Sequence, residues 1–523
     1  MKLKYLNNIE QATATSRMEL FRLGIAILFI AVIMLTTSSI MPQTEHNLLL
    51  VVAAVIGGYM ALNIGANDVA NNVGPAVGSR ALTIFWAIVI AAIFEASGAI
   101  IAGGDVVGTV KNGIIDPGLI GNTDEFIWLM MAALLAASIW LNLATYSGAP
   151  VSTTHSIVGG VLGAGIAAGG AGVANWGQLV QIVISWMISP LLGGVIAALT
   201  LYLIKRTITY KADKLAAARI KVPLLIALMA WAFSTYLILK GIRHLISIDF
   251  LSATLIGLVI AALVYLISRR YIDQRCQTLE NDKESISQLF TIPLIFSAAL
   301  LSFAHGANDV ANAVGPLAAI NDALATHAIS TRAGIPLWIL LIGAAGISLG
   351  LALYGPRLIR VVGSEITELN QMRAYCVALA AALTVILASQ LGLPVSSTHV
   401  AVGAVFGVGF LREVIKTNYH TLLDDIRAHH TQDGHPDDTV EAFVANFDQS
   451  SFEEKDRILR EMKRTHATFG LSREERKALR KQHKKQLVRR SALYKIAAAW
   501  IITVPVSALM AALFYYTIRG YML

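Results

Sequence analysis

The chain has 523 residues, 41 Lys+Arg against 33 Asp+Glu for a formal net charge of +8, and only 14% charged residues beside 56% hydrophobic ones. Soluble domains carry about 25% charged residues, so this balance and a mean hydropathy of +0.64 exclude a large soluble enzyme, a disordered chain and a coiled coil. What remains is an all-α polytopic membrane protein, whose excess positive charge belongs to its loops and not to a nucleic-acid surface.

Apolar stretches recur at 22–41, 48–64, 81–102, 126–170, 177–204, 222–241, 250–268, 290–304, 334–354, 374–410 and 493–518. Most approach the roughly 20 residues needed to cross a bilayer. They lack the alternating polarity of barrel strands, so the spans are helices. Residues 1–47 read as an N-terminal segment with an extra transmembrane helix. Its apolar run is long and no A-x-A pattern follows it, which argues against a signal peptide.

Next comes Gly65–Gly78, GANDVANNVGPAVG, inside an apolar environment, and then Gly148–Gly163, GAPVSTTHSIVGGVLG. A loop rich in Lys and Arg follows, with Lys205, Arg206, Lys211, Lys214, Arg219 and Lys221 around the single acid Asp213. Arg269, Arg270, Arg275 and Lys283 fill a second basic loop, and Arg357, Arg360 and Arg373 mark a third. The positive-inside rule places all three in the cytoplasm. Lys2, Lys4, Arg17 and Arg22 put the N-terminus there as well, against the diluting effect of Glu10 and Glu19.

The second half repeats the first. Gly306–Ala319, GANDVANAVGPLAA, matches the first motif at 10 of 14 positions. Gly392–Gly407, GLPVSSTHVAVGAVFG, matches the second at 10 of 16. The offsets, 241 and 244 residues, are nearly equal, so one unit has been duplicated. Counting crossings from a cytoplasmic N-terminus, the two copies are inverted. This requires that 126–170 and 374–410 be re-entrant hairpins, broken at Gly148-Ala-Pro150 and Gly392-Leu-Pro394. Two full crossings there would carry the basic loop 205–221 to the outside.

Residues 411–492 hold 17 Lys/Arg and 14 Asp/Glu, 31 of the chain's 74 charges, and read as a soluble cytoplasmic insertion. His420, His429, His430 and His435 lie in it; a solvated surface outweighs a metal site. The run 493–518, with Trp500 and Pro505, is the counterpart of 177–204, with Trp186 and Pro190. The expected organisation is therefore 1–47, a first repeat at 48–221, linking helices and loop at 222–289, the first part of a second repeat at 290–410, the insertion at 411–492, and a last helix at 493–523. The two cysteines, Cys276 and Cys376, supply neither a disulfide framework nor metal spacing.

The motifs suggest opposed chemistries. Gly, Asn, Asp and Pro disrupt helices, and irregular backbone at membrane depth survives only where protein or a watery cavity satisfies it. Asp68 and Asp309 are carboxylates at that depth, with Asn67, Asn71, Asn308 and Asn312 adding amide groups. Ser152, Thr153 and Thr154, like Ser396, Ser397 and Thr398, open half-helices after a proline and offer N–H and O–H donors to an anion. Simple N-capping is the plainer reading of the same residues. His155 and His399 read as packed neutral rings more than as proton carriers. Two carboxylates repel an oxyanion unless cations sit between them. Carboxylate and amide oxygens suit a hard cation such as Na⁺, giving a Na⁺ site at Asp68 and Asp309, with protonation of either as the rival coupling chemistry. Hydrogen phosphate can donate a hydrogen bond to a carboxylate whereas sulfate has no proton to do so, which favours phosphate.

At these residues the chain resembles the inorganic phosphate transporter (Pit) family. The resemblance rests on GANDVAN at 65–71 and 306–312, PVSTTH at 150–155, PVSSTH at 394–399, and the stretch from Phe94-Glu-Ala-Ser-Gly98 through Gly108-Thr-Val-Lys-Asn-Gly-Ile-Ile-Asp116. It implies a secondary transporter of inorganic phosphate with inverted repeats, broken helices and two hairpins around the substrate. By motif match it implies the essential acidic positions for Asp68 and Asp309 and phosphate contacts from Ser152, Thr153, Thr154, Ser396, Ser397 and Thr398; the expected site adds Asn71 and Asn312 on the phosphate side and Asn67, Asn308 and Glu95 on the cation-coupling side. Glu95 matches the glutamate that eukaryotic members carry in their first half, whereas Ala378 stands at the second such position. GANDVAN is more like the sodium-coupled branch than the proton-coupled one with its GFHDTAN-type motif.

The expected function is import of inorganic phosphate with a cation, Na⁺ before H⁺, by alternating access. The alternative is a sulfate or other oxyanion permease of the same fold. A passive anion channel conflicts with the internal aspartates. An enzyme is not expected: Ser152, His155 and Asp68 form only a nominal triad, and no nucleophile elbow is present. No cofactor is expected beyond the coupling ion. The expected location is multi-pass in the plasma (inner) membrane if the chain is bacterial. Gly159-x-x-x-Gly163 can pack helices within one chain or across a homodimer.

Overall fold

The computed structural model describes residues 2–40, 47–149, 151–241, 248–326, 335–364, 369–416, 420–430, 438–450, 457–462, 470–483 and 490–523. In chain order its α-helices are α1 (Lys2–Ile40), α2 (Asn47–Asn67), α3 (Val69–Gly78), α4 (Ile84–Ala102), α5 (Gly104–Asn112), α6 (Thr123–Ser147), α7 (Thr153–Gly169), α8 (Trp176–Ile204), α9 (Lys214–Gly241), α10 (Phe250–Cys276), α11 (Lys283–Gln288), α12 (Thr291–Thr326), α13 (Leu337–Ser364), α14 (Gln371–Gln390), α15 (Ser397–Lys416), α16 (His420–His430), α17 (Asp438–Gln449), α18 (Arg473–His483) and α19 (Arg490–Met522). Among the described residues the only β pairing is a single bridge between Ile115 and Ala174. Among the described residues eleven helical segments are long and apolar enough to cross a membrane. The chain is an integral, multi-pass, all-α membrane protein.

It divides into two compact units, Met1–Gly407 with Arg490–Leu523, and Val408–Arg489. In the first, the apolar runs at 126–170 and 374–410 are each broken near the middle. Helix α6 ends at Gly148 with φ 73°, and the segment after α14 turns at Gly392 with φ 65°. Both values lie in the left-handed region that glycine adopts without a Cβ penalty. Of the residues expected at the breaks, Pro150 lies outside the described residues. The chain re-enters helix where Ser152 and Ser396 accept from the N–H groups of His155 (3.1 Å) and His399 (3.2 Å), which are N-cap bonds.

The two GANDVAN copies behave differently. The first interrupts its helix at Asp68, whose φ of −85° and ψ of −39° stay right-handed, so the break is a loosening and not a turn. In the second copy α12 runs unbroken through Asp309 and Pro316.

The halves interlock. Helix α2 lies along α13, and α12 along α4. A Cβ on Gly65 would collide with the Ile347 carbonyl, and one on Gly306 with the Glu95 carbonyl. The last helix of each half crosses over too. Helix α19 packs on α6 and α7, while Gly403 and Gly407 of α15 face the backbone of Pro190 and Gly194 in α8. Gly159 and Gly163 face the backbone of Val504 and Ala508 in α19, so this small-residue seam is used within the chain. Gly163→Val should overpack it by about 1–3 kcal/mol. The expected result is a lower unfolding temperature in detergent, with Gly172→Ala, at a position with no atom within 4 Å of an added Cβ, behaving as wild type.

The second unit has its own core, including Leu423, Ile426, Val444, Phe447, Leu459 and Leu479. Phe443 and Phe447 stack one helical turn apart with ring centroids separated by 5.5 Å. Ser472 and Glu475 cap α18 reciprocally: Ser472 N–H donates to Glu475 (2.7 Å), and Glu475 N–H to Ser472 Oγ (3.2 Å).

Candidate functional site

Asp68, at the α2–α3 junction, and Asp309, in the middle of α12, are both buried and both face the start of α7. Thr153 Oγ1 donates to Asp68 Oδ2 at 2.7 Å and lies 3.5 Å from Asp309 Oδ2. The two carboxylates therefore share one hydroxyl as a neighbour. Thr398 Oγ1 of α15 donates to Asp68 Oδ1 at 2.8 Å, and Ser397 Oγ to Asp309 Oδ2 at 3.0 Å. Each hydroxyl that gives its proton to Asp68 is itself held by an asparagine from the half of the chain opposite to that hydroxyl's own. Asn71 Nδ2 donates to Thr398 Oγ1 (2.8 Å), and Asn312 Nδ2 to Thr153 Oγ1 (3.1 Å). The near-symmetry of these bonds follows from the sequence repeat.

This arrangement leaves two buried acceptors idle. Asn71 Oδ1 and Asn312 Oδ1 have no hydrogen-bond partner among the described residues. A buried, unsatisfied amide oxygen costs about 1–3 kcal/mol and requires an explanation. Beside two carboxylates, uncommitted oxygens of this kind are the donors a hard cation uses. The residues present therefore fit a cation.

The expected site residues do not all gather at the carboxylates. Asn67 is fully engaged with the first hairpin tip: its Nδ2 donates to Thr145 Oγ1 (2.9 Å) and Ala149 O (3.2 Å), and its Oδ1 accepts from Val151 N–H (3.1 Å). Asn308 bridges Ser389 Oγ (3.0 Å) to the Leu393–Val395 tip, and in the amide orientation that satisfies both its ends it also donates to Asp309 Oδ1 at 3.0 Å. Ser152 and Ser396 are spent on their caps. Thr154 Oγ1 donates to Val395 O at 3.1 Å and accepts from Asn312 Nδ2 at 3.2 Å, tying one hairpin tip to the other.

Behind the tips, His155 stacks on Trp186 and His399 on Trp500, with centroids 3.8 and 3.6 Å apart, and the two imidazoles meet edge to face at 4.4 Å. Trp186 Nε1 also donates to Pro394 O at 3.0 Å. The rings are packed, and the paired tryptophans match the correspondence between 177–204 and 493–518.

Glu95 reaches the site through a residue that motif comparison passes over. His305 Nδ1 lies 2.7 Å from Glu95 Oε2, and its Nε2 lies 3.0 Å from Asp309 Oδ2. Asn72 Nδ2 donates to Glu95 Oε1 at 2.7 Å. The repeat hides this acid–imidazole–acid row because the position equivalent to His305 in the first half is Ile64, and that equivalent to Asn72 in the second is Ala313. The available signal was an ionisable side chain inside an apolar run directly before the second motif.

In the second unit, His429 Nδ1 and His430 Nε2 lie 3.0 and 3.2 Å from Glu475. Burial alone would raise the Glu475 carboxyl. The Ser472 N–H and the two imidazoles outweigh it and hold that carboxyl below the usual carboxylate range. His435 lies outside the described residues, and nothing is described of the His420 side chain.

The model of the phosphate transporter family matches residues 64–511. A Helicobacter pylori protein (strain J99) named "Putative phosphate permease" is 50% identical over 525 residues, covering 98% of both chains. A similarly named Pyrococcus horikoshii protein is 37% identical over 377 residues, covering 72% of this chain and 92% of its own. Among solved structures, a sodium-dependent phosphate transporter superposes with a TM-score of 0.73 at 30% identity, covering 90% of this chain and 99% of that one.

Proposed function

The chain belongs to the phosphate transporter family, and we propose that it imports inorganic phosphate together with Na⁺ by alternating access. One observation carries the reading: Asp68 and Asp309 share the Thr153 hydroxyl as a neighbour, while Asn71 Oδ1 and Asn312 Oδ1 stand unused. Two carboxylates about 5 Å apart repel by roughly 3 kcal/mol at an effective dielectric of 20. Cations bound between them offset that repulsion. Phosphate is then admitted by the hydroxyls and N–H groups of the two hairpin tips, and its own O–H can donate a hydrogen bond to a carboxylate. Cation first and anion second is the order this electrostatics favours. The structural neighbour's dependence on sodium supports Na⁺ over H⁺.

In this reading the copies are inverted, the hairpins return to the side they entered, and the N-terminus and residues 411–492 face the cytoplasm, the membrane being the plasma (inner) membrane if the chain is bacterial. Arg22, near the start of the apolar span Arg17–Ser39 of α1, and Arg357, near the end of the span Leu337–Arg360 of α13, line one cavity, as the positive-inside rule requires of one cytoplasmic side.

Proteoliposome uptake with Na⁺ and H⁺ gradients imposed separately tests the coupling. Uptake should follow the Na⁺ gradient and persist when the pH gradient is collapsed; dependence on pH alone would transfer the role to protons. Uptake of sulfate in excess of phosphate would overturn the substrate. Ser397→Ala removes a hydroxyl that donates to Asp309 and that turns to phosphate when the anion enters, where a charge-assisted bond is worth about 1.5–3 kcal/mol. The expected result is at least about a tenfold weaker apparent phosphate affinity, with the amount of folded protein unchanged.

A further inference from the structure

A cavity of about 650 Å³ opens among α1, α2, α6 and α13. It is separate from the carboxylate pair but next to it: its inner wall includes Asn63, Ala66 and Thr145, and Thr145 holds Asn67 immediately before Asp68. Its charged wall is Arg22 of α1 and Arg357 of α13, with Glu19 as the one acid. Arg357 donates to Tyr146 O at 3.2 Å and lies over Gly148, at the tip of the first hairpin. Arg22 is paired with Glu19 at 2.8 Å. Tyr59 and Tyr354 also line the cavity.

Guanidinium groups bind phosphate oxygens through paired N–H donors, and apolar walls raise the local concentration of the attracted ion. The carboxylate site is poor in positive charge, whereas this cavity carries two arginines against one acid. We infer that Arg22 and Arg357 form a subsite for a phosphate group in a vestibule beside the transport centre. The subsite depends on α1, which lies before the residues matched by the family model. It rests on the phosphate-transport reading above. The occupant is free inorganic phosphate moving to or from the centre, or the headgroup of an anionic phospholipid reaching in beside the apolar flank of α1.

Initial phosphate uptake against phosphate concentration, in proteoliposomes of phosphatidylcholine alone or with phosphatidylglycerol added, tests it on wild type, Arg22→Gln, Arg357→Gln, Arg357→Lys and Glu19→Gln. For free phosphate, both glutamine variants raise the half-saturating concentration several-fold in both lipids, Glu19→Gln lowers it, and Arg357→Lys, which keeps the charge but not the paired donors, restores part of the loss. For a headgroup, the variants match wild type in phosphatidylcholine, and the change that phosphatidylglycerol causes in wild type disappears in them. Variants indistinguishable from a normally transporting wild type in both lipids overturn the subsite and leave the transport reading intact. Equal losses in Arg357→Lys and Arg357→Gln overturn it as well, by assigning the effect to packing at Tyr146. A wild type that takes up no phosphate removes both readings.

Discussion

Asp68→Asn and Asp309→Asn are each expected to reduce coupled phosphate uptake to the level of empty vesicles, with normal amounts of folded protein in the membrane. The substitution is isosteric, so packing is kept. It removes one unit of negative charge from a buried site built to hold a cation. At about 4 Å and an effective dielectric of 20 that charge is worth roughly 4 kcal/mol, or about a thousandfold in cation affinity. Asp68 accepts from Thr398 on one oxygen and from Thr153 on the other. An amide nitrogen on either side must face a hydroxyl that reverses its proton, a smaller cost of about 1 kcal/mol. The measurement is Na⁺-driven uptake beside the unfolding temperature. Near-normal uptake in both variants would refute the cation-site assignment, whereas a collapse in stability would show that the carboxylates serve the fold.

How much of this was legible in the residues depends on symmetry. The paired aspartates, the hydroxyl triplets, the glycine turns and the Trp186/Trp500 correspondence recur at matching offsets, and duplication makes a weak local pattern strong. What sequence comparison could not do was divide labour among the polar groups. Asn67 and Asn71 sit four residues apart in one motif, yet Asn67 is consumed by the hairpin tip while Asn71 keeps an idle oxygen. That difference arises from tertiary placement, because a tip that folds back onto α2 takes the nearer amide. Ser152 and Ser396 were open to two readings, and their hydroxyls are occupied as caps. The unlike courses of the two GANDVAN copies, interrupted at Asp68 and continuous at Asp309, have no cause visible in nearly identical motifs. The contributions that break the symmetry, His305 and Asn72, were invisible to a search for repeats.

His305→Ala is the second substitution with a large expected effect. The ring stands between Glu95 Oε2 and Asp309 Oδ2, at 2.7 and 3.0 Å, and all three side chains are fully buried. Its removal leaves two acids facing each other across an apolar gap, with the backbones of α4 and α12 held in contact at Gly306. Breaking a buried charge network by deleting one partner costs about 3–5 kcal/mol, enough to remove much of the margin by which a protein stays folded. Uptake and unfolding temperature should therefore fall together, unlike in Asp68→Asn, whose carboxylate is held by Thr153 and Thr398 and not by this row. Neutralising the stranded partner should relieve part of the damage. Glu95→Gln combined with His305→Ala should be more stable than His305→Ala alone, because the repulsion is gone while Asn72 can still donate to the Gln carbonyl. A double-mutant cycle reads this as a coupling energy of about 0.5–3 kcal/mol between residues 95 and 305. Strict additivity would mean that the imidazole and the Glu95 carboxyl do not act as one unit. The row from Glu95 to Asp309 would then be no more than two neighbours that share a buried space.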